Sequence, residues 1–155
     1  MAEPTLYKNA AIFWSSSTCA VATDQIPGVK AMEFPMSKAE LANSVMGDGA
    51  ETFFPGLISA PVSVTCRQDF TTGATLGDGG VDKEAWTRWN GDIRFKMKFR
   101  AVNAAVSSTN PSYILSRVGV FSHTPFGAGT HGQLLENKLE MRLLSGCTVS
   151  RSTTT

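Results

Sequence analysis

The stretch from Val29 to Phe70 decides the fold, and it reads VKAMEFPMSKAELANSVMGDGAETFFPGLISAPVSVTCRQDF. Its first part, Val29–Met36, is mostly apolar, and its last part, Pro61–Phe70, alternates apolar with polar residues. Such alternation predicts a strand with one buried face. Between these parts lies Ser37–Gly56, far longer than the roughly two to five residues that a hairpin turn needs. The block therefore predicts a strand, a long inter-strand loop and a second strand.

The segment Ser37–Gly56 is too apolar for a solvated linker. Five of its residues are large and hydrophobic, namely Leu41, Val45, Met46, Phe53 and Phe54. A contiguous apolar surface of this kind marks an interaction site. We expect the segment to order against a partner chain.

Length and composition indicate one globular domain spanning residues 1–155, with 42% hydrophobic and 17% charged residues. The net charge of +1 gives no bulk attraction to a polyanion. No apolar run approaches the about 18 residues of a membrane-spanning helix, so we expect no membrane anchoring. The start MAEPTLYKN lacks the features of a signal peptide, which predicts a reducing cytoplasm as the place of synthesis.

The widely spaced Cys19, Cys66 and Cys147 are interpreted as small buried apolar residues.

Strand patterns dominate the rest of the chain. They predict further strands at Leu6–Trp14, Asp92–Arg100, Tyr113–Phe121, Lys138–Leu144 and Cys147–Arg151, glycine-rich loops at Thr71–Gly80 and Phe126–Gly132, and a frayed end at Ser152–Thr155. About seven strands with one short helix predict a mainly β fold. The predicted fold class is an antiparallel β-sandwich or small barrel with a short flanking α-helix and a long inter-strand loop.

The predicted helix is Asp82–Trp89. Asp82 is placed to cap its N-terminus. Trp86 and Trp89 lie three residues apart and share one helix face. We interpret this tryptophan pair as part of the core, with the helix covering one end of it.

The sequence offers little for catalysis, cofactor binding or metal binding. His123 and His131 flank a glycine-rich segment without a carboxylate or cysteine at ligand spacing, so both are interpreted as surface-loop residues. A Ser-His-Asp triad stays open, although no G-x-S-x-G pattern is present. The stretches GDGA and GDGG lack the Lys-Ser/Thr ending of a phosphate-binding loop. We expect a protein that is not an enzyme and that needs no cofactor and no metal.

One row of cations follows the strand Asp92–Arg100. It consists of Arg94, Lys96, Lys98 and Arg100. The row spans about 20 Å, since a strand rises about 3.3 Å per residue, and that is enough to follow a phosphate backbone. Phe95 and Phe99 point to the opposite face, so the row lacks a stacking aromatic residue. A solvated or partner-paired sheet face is the favoured interpretation. The candidate acidic partners are Glu33, Glu40, Glu51 and Glu140.

Several motifs resemble a known family. The opening MAEPTLYKNAAIFW, the run PMSKAELANSVMGDGAETFFPGL followed by VSVTCRQDF, and NPSY leading to TPFGAGTHG are similar to stretches of major tail tube proteins of long-tailed bacterial viruses. The resemblance implies a β-sandwich with a small flanking helix. It also implies rings of six copies that stack into a tube and conduct viral DNA during ejection. Ring closure between subunits would remove the open sheet edges.

The resemblance assigns roles to segments and names partners. It implies that Ser37–Gly56 is the stacking arm and that Asp82–Trp89 is the flanking helix. It implies contacts with other copies and with tape-measure, tail-terminator and tail-tip proteins, in a virion tail assembled in the bacterial host cytoplasm. DNA would pass through without tight binding. Channels in this family are commonly acidic, so the basic row serves either subunit pairing or the channel.

Other functions stay open at this point. A head–tail connector ring or a capsid decoration protein of the same kind of virus is the main alternative. A carbohydrate- or receptor-binding sandwich could use Phe53, Phe54 and Phe126, but those loops contain no tryptophan or tyrosine. A hydrolase ranks below both.

Overall fold

The computed structural model describes residues 10–42, 53–71, 80–127 and 135–154, which form ten strands and one helix. In chain order the elements are β1 Ala11–Trp14, β2 Asp24–Gln25, β3 Val29–Glu33, β4 Ser37–Ala42, β5 Phe53–Ser59, β6 Val62–Arg67, α1 Val81–Asn90, β7 Phe95–Arg100, β8 Ser112–Thr124, β9 Glu136–Leu143 and β10 Val149–Ser152. The mainly β fold with one short helix is confirmed. Among the described residues, no helix has the length and apolar character that crossing a membrane requires.

Eight strands form one antiparallel sheet in the order β2-β1-β7-β8-β9-β6-β3, with β10 also paired to β8. The 13-residue β8 joins the two halves of this sheet, because β7 and β10 flank its first half and β9 pairs with its second half. The sheet curls back on itself. Phe34, just after β3, stacks on Phe99 of β7 with ring centroids 5.0 Å apart. In the described part of the chain the sheet is sandwich-like and not closed into a barrel, with β2 and β3 at its two ends.

The core lies between the halves of the curled sheet, and alternation along the strands supplies it. Phe95, Met97 and Phe99 of β7 are buried, as the sequence predicts. Val62, Val64, Cys66, Ile12, Trp14, Leu139 and Met141 meet them from β6, β1 and β9. The strand begins at Phe95 rather than Asp92, since Asp92 adopts a left-handed backbone with φ 47° in the turn that follows α1.

The segment predicted as one long loop is partly a hairpin, which corrects the prediction. Strands β4 and β5 pair antiparallel from Ser37↔Ser59 to Ala42↔Phe53 and form a two-stranded sheet of their own. Aromatic and β-branched residues in the sequence FFPGLIS favour a strand at β5. The connection as a whole still links β3 to β6, as predicted. Val45 and Met46 lie outside the described residues.

The cysteines differ from the prediction in part. Cys66 is buried, and burial raises the pKa of its thiol to about 12. Cys147 is half-buried. Cys19 is exposed, contrary to the prediction, since it lies in a bend where its backbone N–H donates to the Ser17 hydroxyl.

Helix α1 begins without the predicted side-chain cap. The N-cap residue is Gly80, and Asp82 instead lies in the first helical turn. A Cβ atom at position 80 would stand 2.4 Å from the carbonyl oxygen of Asp69, so the close approach of these two backbones requires glycine. The Asp82 carboxylate accepts a hydrogen bond from Gln68 Nε2 at 2.9 Å and so joins the helix to the end of β6.

Candidate assembly surfaces

The inner face of α1 carries a buried ion pair. Arg88 Nη1 lies 2.6 Å from Glu84 Oε2, and both side chains are buried against the sheet. Arg88 Nη2 donates to the carbonyl of Ser15 at 3.1 Å, and the guanidinium lies 4.1 Å from the ring centre of Trp14. Burial lowers the pKa of Arg88, and the hydrogen bond and charge of Glu84 oppose that shift. Arg88, paired with Glu84, thus holds α1 against Trp14 of β1 and the adjacent Ser15.

Sequence reasoning missed this pair. The signal was present as a glutamate and an arginine four residues apart in a predicted helix, a spacing that permits an ion pair. Such pairs are usually solvent-exposed, so the spacing alone did not indicate burial.

The outer face of α1 carries two tryptophans, and their predicted place in the core is wrong. Trp86 is 52% exposed and Trp89 is 41% exposed, with ring centroids 5.3 Å apart. The reason is helical periodicity. The buried positions of α1 are Val81, Glu84, Ala85 and Arg88, which occupy one face. Trp86 and Trp89 therefore fall on the opposite face.

A shallow groove of about 380 Å³ runs beside Trp89, and we call it the aromatic groove. Its apolar lining residues are Trp89, Ile93, Val120, Phe121 and Leu144, and its charged lining residues are Arg88, Asp92 and Arg94. Phe121 is 53% exposed, and the guanidinium of Arg142 lies 5.4 Å from its ring centre. The groove thus combines solvent-facing aromatic rings with exposed charges of both signs.

The hairpin β4–β5 presents a second apolar surface. Leu57 is 87% exposed, and Ile58 and Met36 are exposed beside it. Of the predicted stacking residues, Leu41 and Phe54 are register partners on the two hairpin strands, and Phe53 pairs with Ala42. Leu57 and Ile58 were missed by the sequence reasoning, although the continuous run FFPGLI was a signal for them.

The basic row lies along and just before β7. Arg94 lines the aromatic groove, whereas Lys98 and Arg100 lie on the outer sheet face beside Phe13. Lys98 Nζ is 4.9 Å and Arg100 Cζ is 5.2 Å from the Phe13 ring centre. The expected absence of an aromatic neighbour is therefore wrong, because Phe13 is the direct register partner of Lys98 on the next strand. Burial and the charge of Arg100 lower the pKa of Lys98.

The row also lacks ionic partners within the described residues, where none of its four cations forms an ion pair. Glu140, a predicted partner, pairs with Lys138 at 3.1 Å. Glu33 and Glu40 are exposed, and Glu51 lies outside the described residues.

His123 belongs to a buried polar cluster, which corrects its interpretation as a surface-loop residue. It lies in β8, and its Nε2 is 3.1 Å from Asn137 Nδ2 and 3.5 Å from Asp82 Oδ1. Asn137 also donates to Gln68 Oε1 at 2.9 Å. Burial lowers the pKa of His123, and the charge of Asp82 opposes that shift. His131 lies outside the described residues. Where the chain is described, no group of three metal-ligating side chains occurs.

The His123 cluster predicts a pH dependence of stability. Because the folded-state pKa lies below the ordinary value of about 6.5, the unfolded chain binds more protons between these two values. The contribution of His123 to the free energy of unfolding should therefore be complete above that ordinary value. It should decrease as the pH falls from that value toward the folded-state pKa. Urea unfolding at pH 7.5 and 5.5 measures the change.

His123→Gln is the control for this prediction, because the glutamine oxygen can still accept from Asn137. The variant should lose much of the pH dependence between 7.5 and 5.5. An equal pH dependence in the variant and the parent would assign the effect to other groups.

Comparison with solved structures identifies the fold. The chain superimposes on the SPP1 tail tube with a TM-score of 0.68 at 12% identity, covering 98% of this chain and 82% of that one. A chain from the tail of an empty GTA particle, a helical assembly with C6 symmetry, gives a TM-score of 0.63 at 13% identity over 92% of this chain and 96% of the other. A chain of the PVC sheath–tube complex, an extracellular contractile injection system, gives 0.62 at 12% identity over 98% and 93%. Protein-family models and curated proteins yield no match.

These neighbours are chains of a tail tube, a particle tail and a sheath–tube complex, and this chain shares their fold. The resemblance that the sequence motifs predict is thereby confirmed for the fold.

Proposed function

We propose that this chain is the repeating subunit of a tail tube, a structural and non-enzymatic protein of a virion tail. The observation that carries the proposal is the agreement in fold, over nearly the whole chain, with subunits of tail and tube assemblies. The exposed apolar residues of α1 and of the β4–β5 hairpin support it, because monomeric proteins rarely expose such surfaces without a partner.

Rings of six subunits are the proposed unit. The C6 symmetry of the GTA tail supports this number, and the open sheet ends at β2 and β3 provide edges that neighbouring subunits can cover. Rings then stack through the arm 37–56, with Leu41, Val45, Met46, Phe53 and Phe54 as the stacking interface. Head-to-tail stacking uses unlike surfaces and generates an open filament.

The tube would conduct DNA and would meet tape-measure, terminator and tip proteins at its ends, after assembly in the cytoplasm of a bacterial host. A head–tail connector ring or a capsid decoration protein uses no repeated ring-to-ring contact. The exposed hairpin therefore favours the tube over these alternatives.

Negative-stain electron microscopy and sedimentation of the purified chain test the proposal. Tubes of stacked rings are expected at high protein concentration, with chaperones and an initiating tip complex supplied. Single closed rings would favour the connector alternative, and monomers alone would contradict both assignments.

We expect the assembled protein to bind duplex DNA weakly, because a conduit must let its cargo slide. The row of Arg94, Lys96, Lys98 and Arg100 would then either lie away from the channel or pair with acidic residues of a neighbouring subunit, with the exposed Glu33 and Glu40 as candidates. Each phosphate contact adds roughly 0.9 to the magnitude of the log–log salt slope of affinity. Four engaged cations would give about −3.6.

Fluorescence anisotropy of labelled duplex DNA over a salt series measures this slope. A shallow slope with weak binding is the expected result. A steep slope with micromolar affinity at physiological salt would show that the row holds phosphates.

A further inference from the structure

The chain exposes two unlike apolar surfaces among its described residues. One is the aromatic groove, with Trp89 and Phe121, and the other is the hairpin β4–β5, with Leu57 and Ile58. The hairpin surface is not an extension of the core, because Leu57 is 87% exposed and the hairpin forms a sheet separate from the main one.

The composition of α1 indicates that its outer face is covered in the working state. The inner face holds the ion pair of Glu84 and Arg88, whose desolvation costs free energy. The outer face holds two large indole side chains in solvent. Aromatic residues on a surface are typical of the centres of protein interfaces, where their burial contributes most to affinity.

We propose that the aromatic groove receives the β4–β5 hairpin of a second copy of this chain, with Leu57 as the apolar anchor against Trp89 and Phe121. This rests on the proposed function, and it names the surface that the stacking arm meets. One chain supplies the hairpin and its neighbour the groove, so each subunit uses both surfaces and the contact repeats without closing.

Charge complementarity supports this occupant. The groove wall carries Asp92 and Arg94, two residues apart and both exposed. The hairpin strand β4 carries Lys38 and Glu40, also two residues apart and both exposed. Lys38 is the register partner of Ile58, and Glu40 that of Pro55, so both charges flank the anchor Leu57. Lys38 can therefore face Asp92 while Glu40 faces Arg94.

Site-directed cross-linking tests the contact. Leu57→Cys on the hairpin and Val120→Cys in the groove are combined with Cys19→Ser, which removes the exposed native thiol. Assembled protein treated with copper-phenanthroline as oxidant should give a ladder of covalent oligomers on a non-reducing gel. The matched control pairs Leu57→Cys with Ser150→Cys, an exposed site on β10, and should give none.

Charge reversal gives a second, independent test that introduces no cysteine. Glu40→Arg or Arg94→Glu alone should raise the critical concentration for assembly on the order of tenfold, and the double reversal should restore it to within about threefold of the parent. Glu140→Arg, which reverses an exposed glutamate outside both surfaces, should assemble normally.

The outcomes separate this inference from the proposed function. Tubes that form without a ladder, or single reversals that assemble like the parent, would overturn the groove as the docking site and leave the tube assignment standing. Failure of the parent chain to assemble would overturn both. A ladder together with rescue by the double reversal would establish the contact.

Discussion

Replacing Glu84 by alanine should lower the free energy of unfolding by about 3 to 5 kcal/mol. The variant leaves the Arg88 guanidinium fully buried without its carboxylate partner, and Arg88 has no other carboxylate within ion-pair distance in the described structure. An uncompensated buried charge is among the most destabilising defects in a folded protein. Urea unfolding followed by circular dichroism measures the loss.

Two further variants show whether burial is the cause. Glu140→Ala breaks an exposed pair with Lys138 and should cost less than about 1 kcal/mol. The double variant Glu84→Leu/Arg88→Met removes both charges and should recover most of the stability that Glu84→Ala loses. A loss in Glu84→Ala no larger than in Glu140→Ala would show that the ion pair does not fasten the helix.

The double variant Phe53→Ser/Phe54→Ser should leave the subunit folded and abolish the tube. Both residues stand at the start of β5, in a hairpin that forms a sheet separate from the main one, so we expect the core to form without them. In the proposed stacking interface, two buried phenylalanines would contribute about 3 to 6 kcal/mol before the cost of ordering the arm is subtracted. Circular dichroism checks the fold, and electron microscopy checks for tubes.

Phe126→Ser is the matched control, because Phe126 is an exposed aromatic residue that lies outside the hairpin, against Phe70. It should assemble like the parent chain. Tubes of normal length from the double variant would remove Phe53 and Phe54 from the stacking interface.

The core strands could be predicted from the sequence because buried and less buried residues alternate along each of them. The run Ile93–Arg100 shows this, since its apolar residues Phe95, Met97 and Phe99 are buried, whereas Ile93 is half-buried and lines the aromatic groove. Contacts between strands were harder to predict. Phe13 lies beside Lys98 only because β1 pairs with β7, and no local pattern specifies that pairing.

The candidate surfaces were predicted less completely than the core. Apolar content identified the segment Ser37–Gly56 as an interaction surface. Its length indicated a loop, whereas the structure has paired strands there. For α1, hydrophobicity favoured a buried Trp86 and Trp89, whereas the sheet receives the face that carries Glu84 and Arg88. A buried salt bridge opposite an exposed aromatic pair reverses the usual distribution, so hydrophobic periodicity alone gave the wrong orientation of the helix.

The continuous strand β8 has a mechanical consequence. Since the same 13 residues hydrogen-bond to β7 and β10 at one end and to β9 at the other, the two halves of the sheet share a single covalent backbone. One half therefore cannot slide past the other without breaking a row of hydrogen bonds. Each subunit should therefore respond to load as one stiff block, and the bending of any filament built from it should be concentrated in the joints between copies.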